Sequence, residues 1–228
     1  MKKYAFTLAE VLITLGIIGV VAALTMPSVI NDIRDREILA NFKKSYSVLS
    51  QATQLATRDN PTSGWTTTSG SLPAAQEIYE YYKPYLNIVQ DCGCGTTAPG
   101  CWSKQPAKAL NGNTYTYGHA GGIGSTYCAF RLNGGINVSL DTWTASTLGV
   151  NSAINNNVFF FYVDMNGDKP PNTLGLDIFQ FVGTQDRDTL VPAGIDNNSA
   201  NCSRSVASVT TSGLDCAAKV LNEGKIDY

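Results

Sequence analysis

The chain has 228 residues, of which 16 are Lys or Arg and 18 are Asp or Glu, giving a net charge of −2, and charged residues make up only 15% of the whole. So small a net charge leaves no bulk field to gather nucleic acid or another polyanion, which sets aside nucleic-acid binding as an expected function. With an apolar N-terminal stretch subtracted, enough chain remains for one domain of ordinary size with its own core.

Met1 to Ala5, MKKYA, is a short leader carrying the paired Lys2 and Lys3. Phe6 to Pro27, FTLAEVLITLGIIGVVAALTMP, follows as about 20 nearly uninterrupted apolar residues, the length at which a helix crosses the hydrocarbon core of a bilayer. The two lysines hold the leader on the cytoplasmic side while the rest of the chain is exported. Glu10 interrupts the apolar run near its start. A carboxylate there costs on the order of 3 kcal/mol on insertion scales, so it requires a functional reason. A Sec signal cut after Val21-Ala22-Ala23 explains the basic start and the apolar core, and a plain single-span anchor explains the length, but neither explains the acid.

A basic leader, then Phe-Thr-Leu-x-Glu, then a long apolar helix ending in Met-Pro closely resembles the class III signal of type IV pilins and type II secretion pseudopilins. The resemblance covers Lys2 to Pro27. It implies that a prepilin peptidase cuts between Ala5 and Phe6 and methylates the new amino terminus of Phe6. The family usually carries Gly before the cut, where this chain has Ala5. The resemblance also gives Glu10 and Pro27 their places in assembly: the Glu10 carboxylate would pair with the amino terminus of Phe6, its own or a neighbour's. The partners it implies are copies of this chain and other pilins or pseudopilins in a helical filament, together with an inner-membrane assembly platform. The chain would then be a single-pass inner-membrane protein with its domain in the periplasm, or part of a cell-surface filament.

Beyond Pro27 the helix is expected to resume over 28–58, because Ile30, Ile33, Ile38, Phe42, Tyr46, Leu49 and Ala56 recur at near-helical spacing with Arg34, Lys43, Lys44 and Gln51 between them. Unbroken from Phe6, the rod would be roughly 80 Å long. Pro27 is where it would kink, and Gly16 and Gly19 loosen the apolar half. Asn60-Pro61 ends it. The exported domain, 59–228, opens with a polar connection and a second helix expected at Ala74 to Leu86, whose Tyr79, Tyr81, Tyr82 and Tyr85 suit packing against a sheet. The run DCGCGTTAPGCW reads as a cysteine-dense loop. After residue 113 the texture becomes β. Strands are expected at Thr114 to Tyr117, Tyr127 to Leu132, Ile136 to Leu140, Val158 to Val163 and Ile178 to Val182, with Asn133-Gly134-Gly135 as a hairpin turn, and a short helix near Ala217 to Asn222. A helical rod followed by a small antiparallel sheet is an α+β, pilin-like fold, so pattern and resemblance converge.

Catalysis is poorly supplied. The single histidine, His119, sits in GHAGG with no accompanying nucleophile motif, and the chain is read as no enzyme. The six cysteines, Cys92, Cys94, Cys101, Cys128, Cys202 and Cys216, all lie on the exported side, where disulfides form and persist. Cys92-Gly-Cys94 with Cys101 could form a metal knuckle, but a zinc site wants two spaced pairs, and disulfides are favoured. Nearness favours Cys202 with Cys216 and leaves the other pairings open. Asp164, Asn166 and Asp168 stand at i, i+2 and i+4, a spacing that aims several oxygens at a hard cation such as calcium. Lys169 and Gly175 stand where an EF-hand would have Gly and Glu, so the loop is no EF-hand. Asp177, or carbonyls near Pro171 and Asn172, could complete the sphere. The competing reading is a solvated turn at Asn166-Gly167.

These readings lead to a structural subunit of a type IV pilus or type II secretion pseudopilus. A membrane-tethered or secreted ligand-binding or adhesin module is the alternative, and an exported hydrolase comes third.

Overall fold

The computed structural model of the protein describes residues 7–95, 100–102, 106–115, 126–151, 157–208 and 211–228. The expected leader, Phe6 and His119 lie outside the described residues. The chain divides into two compact units, Met1–Glu37 and Ile38–Tyr228.

In the first unit the backbone is helical from Leu8 onward, as the opening part of α1 (Leu8–Asp59), and Pro27 lies inside the helix without ending it. No residue from 7 to 37 is buried. Leu12, Ile13, Ile17, Ile18, Val20 and Leu24 point outward around the helix. A helix apolar on every side and covered on none belongs in lipid or in a bundle. By length and composition it suffices to cross a membrane.

The second unit is built on a six-stranded antiparallel meander in sequence order: β1 (Ile88–Cys94), β2 (Cys128–Leu132), β3 (Ile136–Thr144), β4 (Asn157–Asp164), β5 (Ile178–Gly183) and β6 (Leu190–Pro192). Two helices join it besides the second half of α1: α2 (Leu72–Tyr82) and α3 (Cys216–Glu223). In α1, Ile38, Phe42, Ser45, Leu49, Ala52 and Ala56 are buried at helical spacing. They form one core with Ile78, Tyr79 and Tyr82 of α2 and with the sheet face carrying Phe130, Val138, Phe159, Phe161, Phe179 and Phe181. Phe42 meets the Phe179 ring edge-on at 5.0 Å, and the Thr53 and Tyr82 hydroxyls are 2.8 Å apart. The opposite face, with Val158, Phe160, Tyr162, Ile178 and Val182, is covered by Leu148, Val150, Leu174 and Leu214 from the connections. Both faces of β4 are therefore buried, which is why VFFFYV is an unbroken apolar run and not an alternating one.

Three expectations need correction. The first half of the cysteine-dense run is an edge strand: β1 pairs with β2 through Cys94 opposite Cys128, with irregular register between Asp91 and Cys94. Gly and Asp are poor strand formers, so only the partner strand makes this segment extended. The second helix begins two residues before the expected Ala74, with Ser71 as its cap accepting from the Ala74 amide, and Pro84 lies in a separate 3-10 turn after it. Thr114 makes only an isolated bridge to Lys108, and Tyr115 donates its amide to the Ala107 carbonyl at 2.8 Å without joining a strand; 116–117 of the strand expected there lie outside the described residues.

Candidate functional site

At the helix start, Thr7 and Glu10 form a reciprocal cap. The Thr7 amide and hydroxyl each donate to Glu10 Oε2 at 2.8 Å, and the Glu10 amide donates to Thr7 Oγ1 at 3.3 Å. This is the capping box, in which Thr-x-x-Glu satisfies two of the free amides at a helix N-terminus. The spacing of Thr7 and Glu10 was sufficient to find it from sequence. The cap gives the carboxylate local partners inside the apolar stretch. The pairing of Glu10 with the amino terminus of Phe6 concerns a residue outside the described ones.

The second constellation is the connection between β4 and β5. Asp164 ends β4 and is fully buried; Asp177 precedes β5 and is fully buried as well. Asp177 accepts from the Asn172 amide at 2.8 Å, the Thr173 amide at 2.6 Å and Asn166 Nδ2 at 3.1 Å. One Asp164 oxygen accepts from the Asn166 amide at 3.2 Å. The other oxygen of Asp164 has no partner, and neither do Asn166 Oδ1 and Asn172 Oδ1, although all three are buried. Asn172 also adopts a left-handed backbone, φ 50°, which is uncommon for a residue with a side chain. Burial, with the Asp177 charge adding to it, pushes the Asp164 carboxyl well above the usual carboxylate range. Burial pushes Asp177 up to about 6 despite its backbone donors.

Asp168 is oriented differently. Its two oxygens accept from Arg131 Nη2 at 2.9 Å and Asn137 Nδ2 at 3.1 Å, and Arg131 Nε donates to Asn137 Oδ1 at 2.8 Å. Gly167 permits this, since a Cβ there would lie 2.4 Å from the Gly135 carbonyl oxygen of the β2–β3 turn. Of the three residues singled out from spacing, Asp164 and Asn166 are grouped with Asp177, the candidate to complete the set, and with the side chain of Asn172, whereas Asp168 is turned toward Arg131. Among the described residues no group of three or more His, Cys, Asp or Glu side chains is placed to hold a metal. Any cation here would rest on two carboxylates and amide oxygens. Buried oxygens without donors are uncommon and call for a partner, which a hard cation would be one way to supply.

All six cysteines are bridged: Cys92 to Cys101, Cys94 to Cys128 and Cys202 to Cys216. Cys94–Cys128 joins directly opposed residues of β1 and β2, and so fastens the edge strand to the sheet.

Residues 1–26 match the prokaryotic N-terminal methylation motif. No curated protein and no solved structure matches the chain. The motif is the one typical of type IV pilins and pseudopilins. Together with a long apolar N-terminal helix followed by a six-stranded antiparallel sheet, it defines a prepilin-like protein of α+β, pilin-like architecture.

Proposed function

We propose that the chain is a structural subunit of a type IV pilus or type II secretion pseudopilus. In this reading a prepilin peptidase cuts between Ala5 and Phe6 and methylates Phe6. The subunit waits in the inner membrane with its domain in the periplasm, and the assembly platform bundles its helix with those of other subunits. The observation that carries the reading is the methylation motif fused to an apolar helical run, ending at Pro27, whose one acid, Glu10, is costly in lipid. Proteins bearing this motif are generally structural, which also argues against an enzyme. Intact mass of the exported protein tests it. A chain beginning with methylated Phe6 supports the reading; assembled filaments whose subunits retain Met1 to Ala5 would overturn it.

The β4–β5 connection supports a second, narrower reading, in which Asp164, Asn166, Asn172 and Asp177 hold calcium. The unpartnered buried oxygens carry this reading. The cation would order the connection that joins β4 to β5.

A further inference from the structure

A hydrogen bond ties the β4–β5 connection to α1. Asn41 Nδ2 donates to the Met165 carbonyl oxygen at 2.9 Å, from 124 positions away in the chain. Asn41 lies between Ile38 and Phe42, the first buried residues of α1, and Met165 is fully buried in the core that holds them.

The identity of the acceptor matters. Met165 C=O and Asn166 N–H are the two ends of one peptide group, and that amide donates to Asp164 Oδ1 at 3.2 Å. The peptide is trans, so its C=O and N–H point to opposite sides of a rigid plane. One side is held by the Asp164 carboxylate and the other by the side chain of a helix residue. The plane cannot turn toward one partner without losing the other. The Met165 amide, which donates to the Asp177 carbonyl at 2.9 Å, secures the residue just before it.

The same residues carry oxygens of the candidate cation set. Asp164 gives Oδ1 to the amide and has Oδ2 buried without a partner; Asn166 supplies that amide from its backbone and has Oδ1 buried without a partner. With both free oxygens engaged by a cation, the Met165–Asn166 peptide would be held through Asp164 and Asn166 together. Other ties between α1 and the sheet lack this link. Tyr46 Oη donates to the Leu190 carbonyl of β6 at 3.2 Å, and Lys44 Nζ donates to the Asn133 carbonyl of the β2–β3 turn at 3.2 Å.

We propose that Asn41 is the positioning residue through which the β4–β5 connection, when it holds calcium, fastens α1 to the sheet. With Asp164 and Asn166 engaged, the Met165–Asn166 peptide is fixed, and with it the acceptor that Asn41 holds. The inference rests on the calcium reading above and deepens it by naming what occupancy of the site controls. Coupling between two sites is reciprocal, so a helix that has lost its hold on Met165 binds calcium more weakly, by the factor by which calcium tightens that hold.

The test titrates calcium into the chelator-stripped, full-length chain in detergent and follows binding by calorimetry. Asn41→Leu, which keeps the approximate volume and removes the donor, should raise the dissociation constant about fivefold or more, the lower end of couplings between sites. Tyr46→Phe, which removes the tie to β6, should leave it within about twofold, as for independent sites. Hydrogen exchange on the wild-type protein reads the link without a substitution: calcium should slow exchange at the amides of 38–45 as well as those of 164–177. Unchanged affinity in Asn41→Leu, an equal loss in Tyr46→Phe, or protection confined to 164–177 overturns the coupling and leaves the calcium reading standing. Absence of calcium binding by the wild type overturns both.

Discussion

Arg131 Nη2 stands 2.9 Å from Asp168 Oδ2, and this bond takes Asp168 away from the buried carboxylates of Asp164 and Asp177. Three acids close in sequence therefore divide into two that are buried together and one that faces a guanidinium. If the connection binds calcium through the buried set, calcium added to the detergent-solubilised chain should raise its melting temperature. A ligand at a hundred times its dissociation constant stabilises by about 2.7 kcal/mol. The rise should vanish in Asp164→Ala and persist in Asp168→Ala. Loss of the response in Asp168→Ala would return that carboxylate to the ligand set, and no response in the wild type would leave the loop a metal-free turn.

A second prediction concerns pH. Asp141 on β3 is buried, accepting from Thr126 Oγ1 at 3.0 Å and the Thr142 amide at 2.7 Å. Burial pushes its carboxyl up to about 7 from an ordinary 3.8. A folded value above the unfolded one means that the protonated form favours folding. The associated stability is complete below about 4 and is lost as pH rises toward 7, at up to about 1.4 kcal/mol per pH unit. Asp141→Asn, which keeps the shape without the charge, should flatten that part of the stability profile and gain on the wild type at pH 8. Denaturant melts across the range would show it. Parallel profiles for the two proteins would refute it.

The bridges should differ in worth. Cys94–Cys128 spans 34 residues and Cys92–Cys101 spans 9. On the chain-entropy account the longer loop stabilises more, by roughly 1 kcal/mol. Replacing each pair by alanines and comparing urea midpoints should rank Cys94–Cys128 as the more costly loss. The reverse order would mean that native-state packing outweighs loop entropy.

Phe42 ties α1 to the sheet, with Phe179 at 5.0 Å and Phe181 at 5.3 Å. Phe42→Ala should cost about 3–5 kcal/mol, the range for deleting a buried aromatic ring. An exposed residue on the same helix, as in Gln51→Ala, should change stability by less than about 0.5 kcal/mol. Equal midpoints for the two variants would show that the α1–sheet packing contributes little.

Sequence alone determined the features that depend on local order. The motif from Phe6 to Glu10, the apolar run to Pro27 and the continuation of the helix to Asp59 are written in neighbouring residues and in one period. VFFFYV and IFQFV announce β4 and β5 because strands buried on both faces are built almost wholly of apolar residues, the buried Gln180 of β5 being the exception. Tertiary structure decided what depends on partners distant in sequence. The run from Ile88 to Cys94 is a strand because β2 and the Cys94–Cys128 bridge make it one, against its own composition. Leu190–Pro192 is too short to read except against β5. Asn172 joins the buried oxygens only through the way the connection folds back on Asp177, and Asp168 leaves them because Arg131, 37 residues earlier, lies across the sheet. Spacing along a chain shows which oxygens could meet; the competing hydrogen bonds that decide which do exist only once the strands are side by side.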